Sequence, residues 1–203
     1  MITVIDLNLG NVASVDKALK HLNIKHVVSD SARDIQNAEK IIFPGVGNFF
    51  EAAKRMKNLG LADILKEQVI GKKIPLLGIC LGMQLLAGFG EEGGGAEGLN
   101  FINGEIKLLR TDKAKLRLPH IGWNDVNFTD FKLFTGIKNS SCFYFVHSYE
   151  MILQEEVKIA TSNYGVDFVA AIQKGNIMGV QFHPEKSQEA GLCLLNNFCR
   201  GYF

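Results

Sequence analysis

Leu76–Leu86 reads LLGICLGMQLL, an apolar strand that turns directly into a helix, with Gly78 and Gly82 two residues either side of Cys80. This is the spacing of a nucleophile elbow, G-x-nucleophile-x-G, with cysteine as the nucleophile. Small flanking residues let strand and helix approach closely, which holds the cysteine at a tight, strained turn. The sulfur is then presented at the carboxyl end of a sheet, where open α/β folds place their ligands. The helix start also favours the thiolate electrically.

Working outward, the N-terminal half alternates short apolar strands with helices: ITVID, a helix from Val12 to about Leu22, HVVS, KIIF, one or two helices between Phe49 and Gly71, and PLLGI. Such alternation predicts a parallel sheet covered on both faces. In the first helix Val12, Val15, Ala18, Leu19 and Leu22 share one face while Asp16, Lys17 and Lys20 fall elsewhere. Beyond the glycine-rich loop Gly93–Gly98 the texture changes to short strands: GEIKLL, GWNDVNF, CFYFVHSYE, KIATSN, FVAAIQ and NIMGVQFH. Lys174, Gly175 and Asn176 mark a hairpin between the last two, and a helix from about Gln188 to Tyr202 closes the chain. The predicted fold is α/β: an open, mostly parallel central sheet flanked by helices, with an antiparallel extension in the C-terminal half, all in a single domain over 1–203.

The 203 residues are 47% hydrophobic, enough for one substantial core, and carry 22 Lys and Arg against 21 Asp and Glu. A net charge of +1 offers no general attraction to nucleic acid or anionic lipid. The uncharged stretch Ile74–Gly90 contains Pro75, Gln84 and several glycines and is shorter than the roughly 20 residues that span a membrane. With Asp6 inside the first apolar run and no secretory pattern, a cytoplasmic protein is expected. Cys80, Cys142, Cys193 and Cys199 form no CxxC pair, so reduced thiols are expected; the last three read as small buried hydrophobes.

A thiolate nucleophile needs a base, and the base an orienting group. His183 ends the run MGVQF ahead of Pro184, which holds it extended, and Glu185 follows within reach of its imidazole. The plainer alternative is a strand-end histidine beside a solvated glutamate. His21 and His26 flank a helix end, where solvent is the default, and His120 and His147 fit hydrogen-bonded strand-edge positions. None has metal-ligand spacing, so no metal is expected. Pro44–Gly47, PGVG, directly after KIIF, could turn backbone amides into a cleft and, with the amide of Leu81, form an oxyanion hole. Position 50 is Phe, so no dinucleotide fingerprint follows Gly45 and Gly47, and the Gly93–Gly98 loop lacks the GK[ST] of a phosphate loop. No cofactor is expected.

GICLGMQ around Cys80 and GVQFHPEKS ending at Ser187 resemble the two signature regions of class I, triad-type glutamine amidotransferases. PGVGNF at 44 to 49, EEGG at 91 to 94, LPHIGWN at 118 to 124 and YFVHSY at 144 to 149 are similar, more narrowly, to the amidotransferase subunits of imidazole glycerol phosphate synthases. The resemblance implies a flavodoxin-like sheet and a reaction in which Cys80 attacks the glutamine amide, His183 moves the proton and Glu185 orients His183. It places Gly47, Gln84, Glu92, Ser148 and Tyr149 around the substrate and the amide of Val46 in the oxyanion hole once its peptide is turned. It also implies a heterodimer with a (β/α)8-barrel synthase subunit that receives the ammonia, with Asn11 and Trp123 in segments like the family's contact surface; Lys186 sits beside the catalytic pair, where it could meet an acidic partner group. A half-buried strand aromatic is the alternative for Trp123.

The first loop, DLNLGN at 6 to 11, departs from the family, which usually has an aromatic or glycine after the aspartate; Leu7 and Asn8 alter the docking rim. Some relatives supply ammonia for amidino groups on surface sugars, and both pathways stay open. A thiol hydrolase of another substrate would have its acid between cysteine and histidine, whereas Glu185 follows His183.

Overall fold

Apolar runs too short for helices pair into a central sheet, and each run's continuation decides which face is covered. The computed structural model describes residues 1–111, 116–201 and 203. In chain order the elements are β1 Ile2–Ile5, α1 Val12–His21, β2 His26–Ser29, α2 Ala32–Gln36, β3 Lys40–Gly45, α3 Phe49–Asn58, α4 Leu61–Leu65, a π-helical turn Lys66–Gly71, β4 Leu76–Cys80 and α5 Leu81–Gln84. There follow β5 Phe89–Gly90, β6 Ala96–Glu97, β7 Gly104–Leu108, β8 His120–Val126, β9 Ser141–His147, β10 Tyr149–Leu153, β11 Lys158–Asn163, β12 Asp167–Lys174, β13 Ile177–Val180 and α6 Gln188–Arg200.

Seven strands form the main sheet in the order β11-β12-β13-β4-β3-β1-β2. From β13 to β2 all neighbours run parallel, while β11 and β12 add antiparallel at the far edge. The parallel strands are buried throughout β1 and β4 because helices cover both faces. On one side Val15, Ala18 and Leu19 of α1 pack with Leu77, Ile79 and Leu194 of α6; on the other Ala52 and Met56 of α3 pack with Ile41, Phe43 and Leu76. The hairpin is as expected: Lys174 pairs with Ile177, and Gly175 takes the positive φ of 59° that the tight turn needs.

Several expectations need correction. The run CFYFVHSYE is two strands in different sheets: β9 pairs antiparallel with β8, and β10 pairs with β7 in a four-stranded sheet, with Ser148 as the joint. A continuous strand-like run does not reveal that its two halves have different partners. The short helix α2 was unanticipated, and β13 ends at Val180, short of His183. Cys142 faces solvent rather than the core, because the alternation of β9 buries Phe143 and Phe145 instead. His26 is withdrawn from solvent, with its ring bonded to the Ile24 carbonyl at 2.8 Å and to Asp16 at 2.9 Å. Tyr202, the expected end of the last helix, lies outside the described residues. Among the described residues no helix is long and apolar enough to cross a membrane.

Candidate active site

Cys80 ends β4 with φ 53° and ψ −109°, a conformation that costs a non-glycine residue about 1–3 kcal/mol. The neighbouring glycines make it possible. A Cβ at Gly82 would lie 1.7 Å from the carbonyl oxygen of Phe43, and one at Gly78 would lie 2.7 Å from backbone atoms of Gly82 and Met83. The strand, the turn and the adjacent β3 therefore touch backbone to backbone. Because Gly45 pairs in register with Cys80, the two chains leave the sheet at the same level, and Val46 and Gly47 come to face Leu81 across one cleft. The helix after the elbow is only the single turn α5, so its dipole is a smaller source of thiolate stabilisation than the sequence suggested.

The charge partner comes from the other end of the chain. His183, 1% exposed in its side chain, bonds through Nδ1 to Glu185 Oε1 at 2.8 Å. A carboxylate only accepts, so Nδ1 carries the proton and the other ring nitrogen is left free on the cleft that His183 shares with Cys80. Burial opposes charging of this imidazole, but the adjoining Cys80 thiolate and the Glu185 carboxylate outweigh it and push the ring up to about 10. The site thus favours the charged imidazolium form of His183. Glu185 is no solvated glutamate: its side chain is fully buried, and its Oε2 is without a partner among the described residues.

The Asn11 amide group turns inward. Held at φ 67° ahead of α1, it donates from Nδ2 to Glu185 Oε1 at 2.6 Å, and the same nitrogen lies 3.2 Å from His183 Nδ1. Two donors cannot bond each other, so the carboxylate is its partner, and Asn11 acts on the histidine through Glu185.

Cys80 and His183 open into a cavity of about 240 Å³ lined also by Val46, Gly47, Leu81, Gln84, Glu92, Ser148, Tyr149 and Lys186. That is the scale of a small polar metabolite rather than of a drug-sized ligand. Every residue expected around the substrate therefore lies on one cleft. Glu92 is braced by the amide of Phe49 at 2.7 Å. Lys186 sits 5.8 Å from the Tyr144 ring, which makes an edge contact with Trp123; Trp123 is 47% exposed and Ile121, two residues before it on the same strand, 60%.

Three buried polar residues adjoin the cleft, two of them the histidines expected at hydrogen-bonded strand positions and the third one that sequence reasoning passed over. His120 and His147 face each other in the β8–β9 register, His120 Nδ1 donating to His147 Nε2 at 3.0 Å and His147 Nδ1 donating to the Tyr149 carbonyl at 2.9 Å. That carbonyl fixes both tautomers, and burial lowers His120 to about 4 and His147 to about 3, so both rings are neutral. The third is Gln181, fully buried, with Nε2 3.7 Å from the Cys80 sulfur. Its position two residues before His183 in an extended segment was the available signal, since alternate residues share a face.

Among known families, the sequence matches that of glutamine amidotransferase class-I proteins over residues 3–201. The chain belongs to the class I glutamine amidotransferases. This amidotransferase is 47% identical over 201 residues to imidazole glycerol phosphate synthase subunit HisH 1 of Campylobacter jejuni strain RM1221, covering 98% of the chain and all of that protein. It is 46% identical to the subunit HisH of Moorella thermoacetica, over 97% of the chain and 93% of the relative. A crystal structure of a glutamine amidotransferase superposes with TM-score 0.76 at 20% identity, over 97% of this chain and 98% of that one. Another, from Thermotoga maritima, superposes with TM-score 0.65 at 19% identity, over 91% and 75%. At such identities the structures speak to the fold, which is the class I amidotransferase fold.

Proposed function

We propose that this amidotransferase is the glutaminase subunit of an imidazole glycerol phosphate synthase, a single domain that hydrolyses glutamine and passes ammonia to a separate (β/α)8-barrel synthase subunit in histidine biosynthesis. The observation that carries the chemistry is that Cys80 at the elbow and a His183 ring braced by Glu185 line the same cleft of metabolite size.

The Cys80 thiolate attacks the side-chain amide carbon of glutamine, and the oxygen's developing charge is met by the amides of Leu81 and Val46, with Gly47 free to turn at φ 110°. The His183 imidazolium gives its proton to the amide nitrogen as the C–N bond breaks, leaving ammonia and a thioester. Neutral His183 then takes a proton from water as that water attacks the thioester. The C–S bond breaks, and glutamate departs with the thiolate–imidazolium pair restored. The balance is glutamine plus water to glutamate plus ammonia. Glu185 keeps the imidazole in one tautomer and stabilises its charged form. Gln84, Glu92, Ser148 and Tyr149 hold the amino-acid end, with a carboxylate and carbonyls for its ammonium and donors for its carboxylate.

Ammonia is a nucleophile only while unprotonated, so delivery needs a closed route. The exposed pair Ile121 and Trp123, beside Tyr144 and Lys186 at the cleft mouth, suits an interface that seals it. The names of the relatives support the same partnership. The test is reconstitution with the cognate synthase subunit, reading glutamate and the imidazole product. Wild type should couple the two, and Cys80→Ala should form neither while keeping its fold. Glutamate release by folded Cys80→Ala would overturn the mechanism, and failure of wild type to bind any such subunit would overturn the partnership.

A further inference from the structure

Gln181 has its side chain in a fully buried position directly behind the nucleophile, and its orientation is decided by its neighbours. Gln84 Nε2 donates to Gln181 Oε1 at 3.1 Å and to the Tyr149 carbonyl at 3.3 Å. That carbonyl is held in turn by His147 Nδ1 at 2.9 Å. With its oxygen committed to Gln84, Gln181 can present only its NH2 to Cys80, and Nε2 lies 3.7 Å from Sγ. The opposite orientation would set two donors against each other and an oxygen against the sulfur. A buried amide is retained at a cost unless its polar atoms are paired, and here one of the pairings is with the reacting atom.

We propose that Gln181 is a further catalytic group, donating a hydrogen bond to the Cys80 sulfur that stabilises the thiolate before attack and again as it leaves the thioester. The role rests on the glutaminase reading but adds to it. The other groups beside the sulfur are the His183 ring, with Glu185 behind it, and the Val146 carbonyl. That carbonyl accepts from the thiol at 3.7 Å and so favours the un-ionised form. Gln181 is the neutral group that opposes it. A donor to a charged acceptor is worth more than one to a neutral acceptor, so the bond weakens when the thioester forms and strengthens as the thiolate departs.

The test follows alkylation of Cys80 by iodoacetamide against pH in the full chain, read by mass spectrometry of the Cys80 peptide because Cys142, Cys193 and Cys199 are also free. Gln181→Met keeps the length and removes the donor. Its alkylation midpoint should rise by about one pH unit relative to wild type. In the complex its kcat should fall roughly tenfold with KM little changed, since the bond is to enzyme and not to substrate. Gln84→Met, which frees the Gln181 amide to rotate, should move the midpoint the same way by less. Ser162→Ala, an equally buried polar site on β11, should leave it unmoved. A folded Gln181→Met with the wild-type profile overturns the proposal. If that variant does not fold, a wild-type profile in folded Gln84→Met overturns it instead. Neither result depends on glutamine, so the glutaminase reading would survive either.

Discussion

Gly82→Ala adds one methyl group where the structure has no room for it. The added carbon would sit 1.7 Å from the Phe43 carbonyl oxygen and 2.8 Å from its carbonyl carbon. Non-bonded carbons rest about 3.5 Å or more from heavy atoms, so the elbow would have to draw back from β3 by roughly 1.8 Å. The obstacle is backbone in the middle of the main sheet, and no side chain can rotate to relieve it. Overpacking of this kind costs about 1–3 kcal/mol, and a rigid obstacle puts the substitution near the upper figure. For a chain of this length each kcal/mol lowers Tm by about 2–4 °C, giving an expected fall of roughly 6–12 °C. Moving the nucleophile by an ångström relative to its base and oxyanion donors should cost on the order of a hundredfold in rate. Thermal unfolding followed by circular dichroism and glutamate release in the reconstituted complex would measure the two effects. A variant within about 2 °C of wild type and of similar activity would refute the backbone-contact account of the elbow.

Glu185→Gln keeps an acceptor for Asn11 and His183 but removes the charge, and losing a charge-assisted bond of about 1.5–3 kcal/mol predicts a rate loss of roughly tenfold to a hundredfold at neutral pH, read as kcat/KM for glutamate release. His183 also makes stability pH-dependent. Its folded value, about 10, lies above its ordinary 6.5, so its contribution is fully present below about 6.5 and is lost as pH rises toward 10. Wild-type Tm should decline across that window, and the decline should be shallower in Glu185→Gln; equal slopes would argue against the buried ion pair. Trp123→Ala should weaken binding of the synthase subunit by about tenfold or more with little change in the subunit's own Tm, because the ring is exposed in the free chain. A Tm drop without loss of affinity would show Trp123 to be a packing residue.

What could be read in advance was local. The glycine pair around Cys80 and the His-Pro-Glu run both constrain backbone within a few residues, and the alternating apolar runs of the first half specify a parallel sheet. The substrate-side residues were legible only through motif resemblance, since Ser148 and Tyr149 carry no chemical signature of their own. The break at Ser148 was invisible, because β9 and β10 follow one another with a single residue between them and are separated by the strands they pair with. Asn11 illustrates the same limit from the other side: its segment was placed, but the direction of its amide depends on a carboxylate far along the chain.

The amino-acid sequence by itself determined the elbow and the cysteine proposed as its nucleophile, because these rest on backbone sterics and side-chain type over short spans. Only the tertiary structure decided which groups address the sulfur. The registers of β13 on β4 and of β3 on β4 bring His183, Gln181 and the turn after Gly45 to one point, and partners more than a hundred residues apart, such as Cys80 and Gln181, meet through long-range pairing that no local pattern encodes.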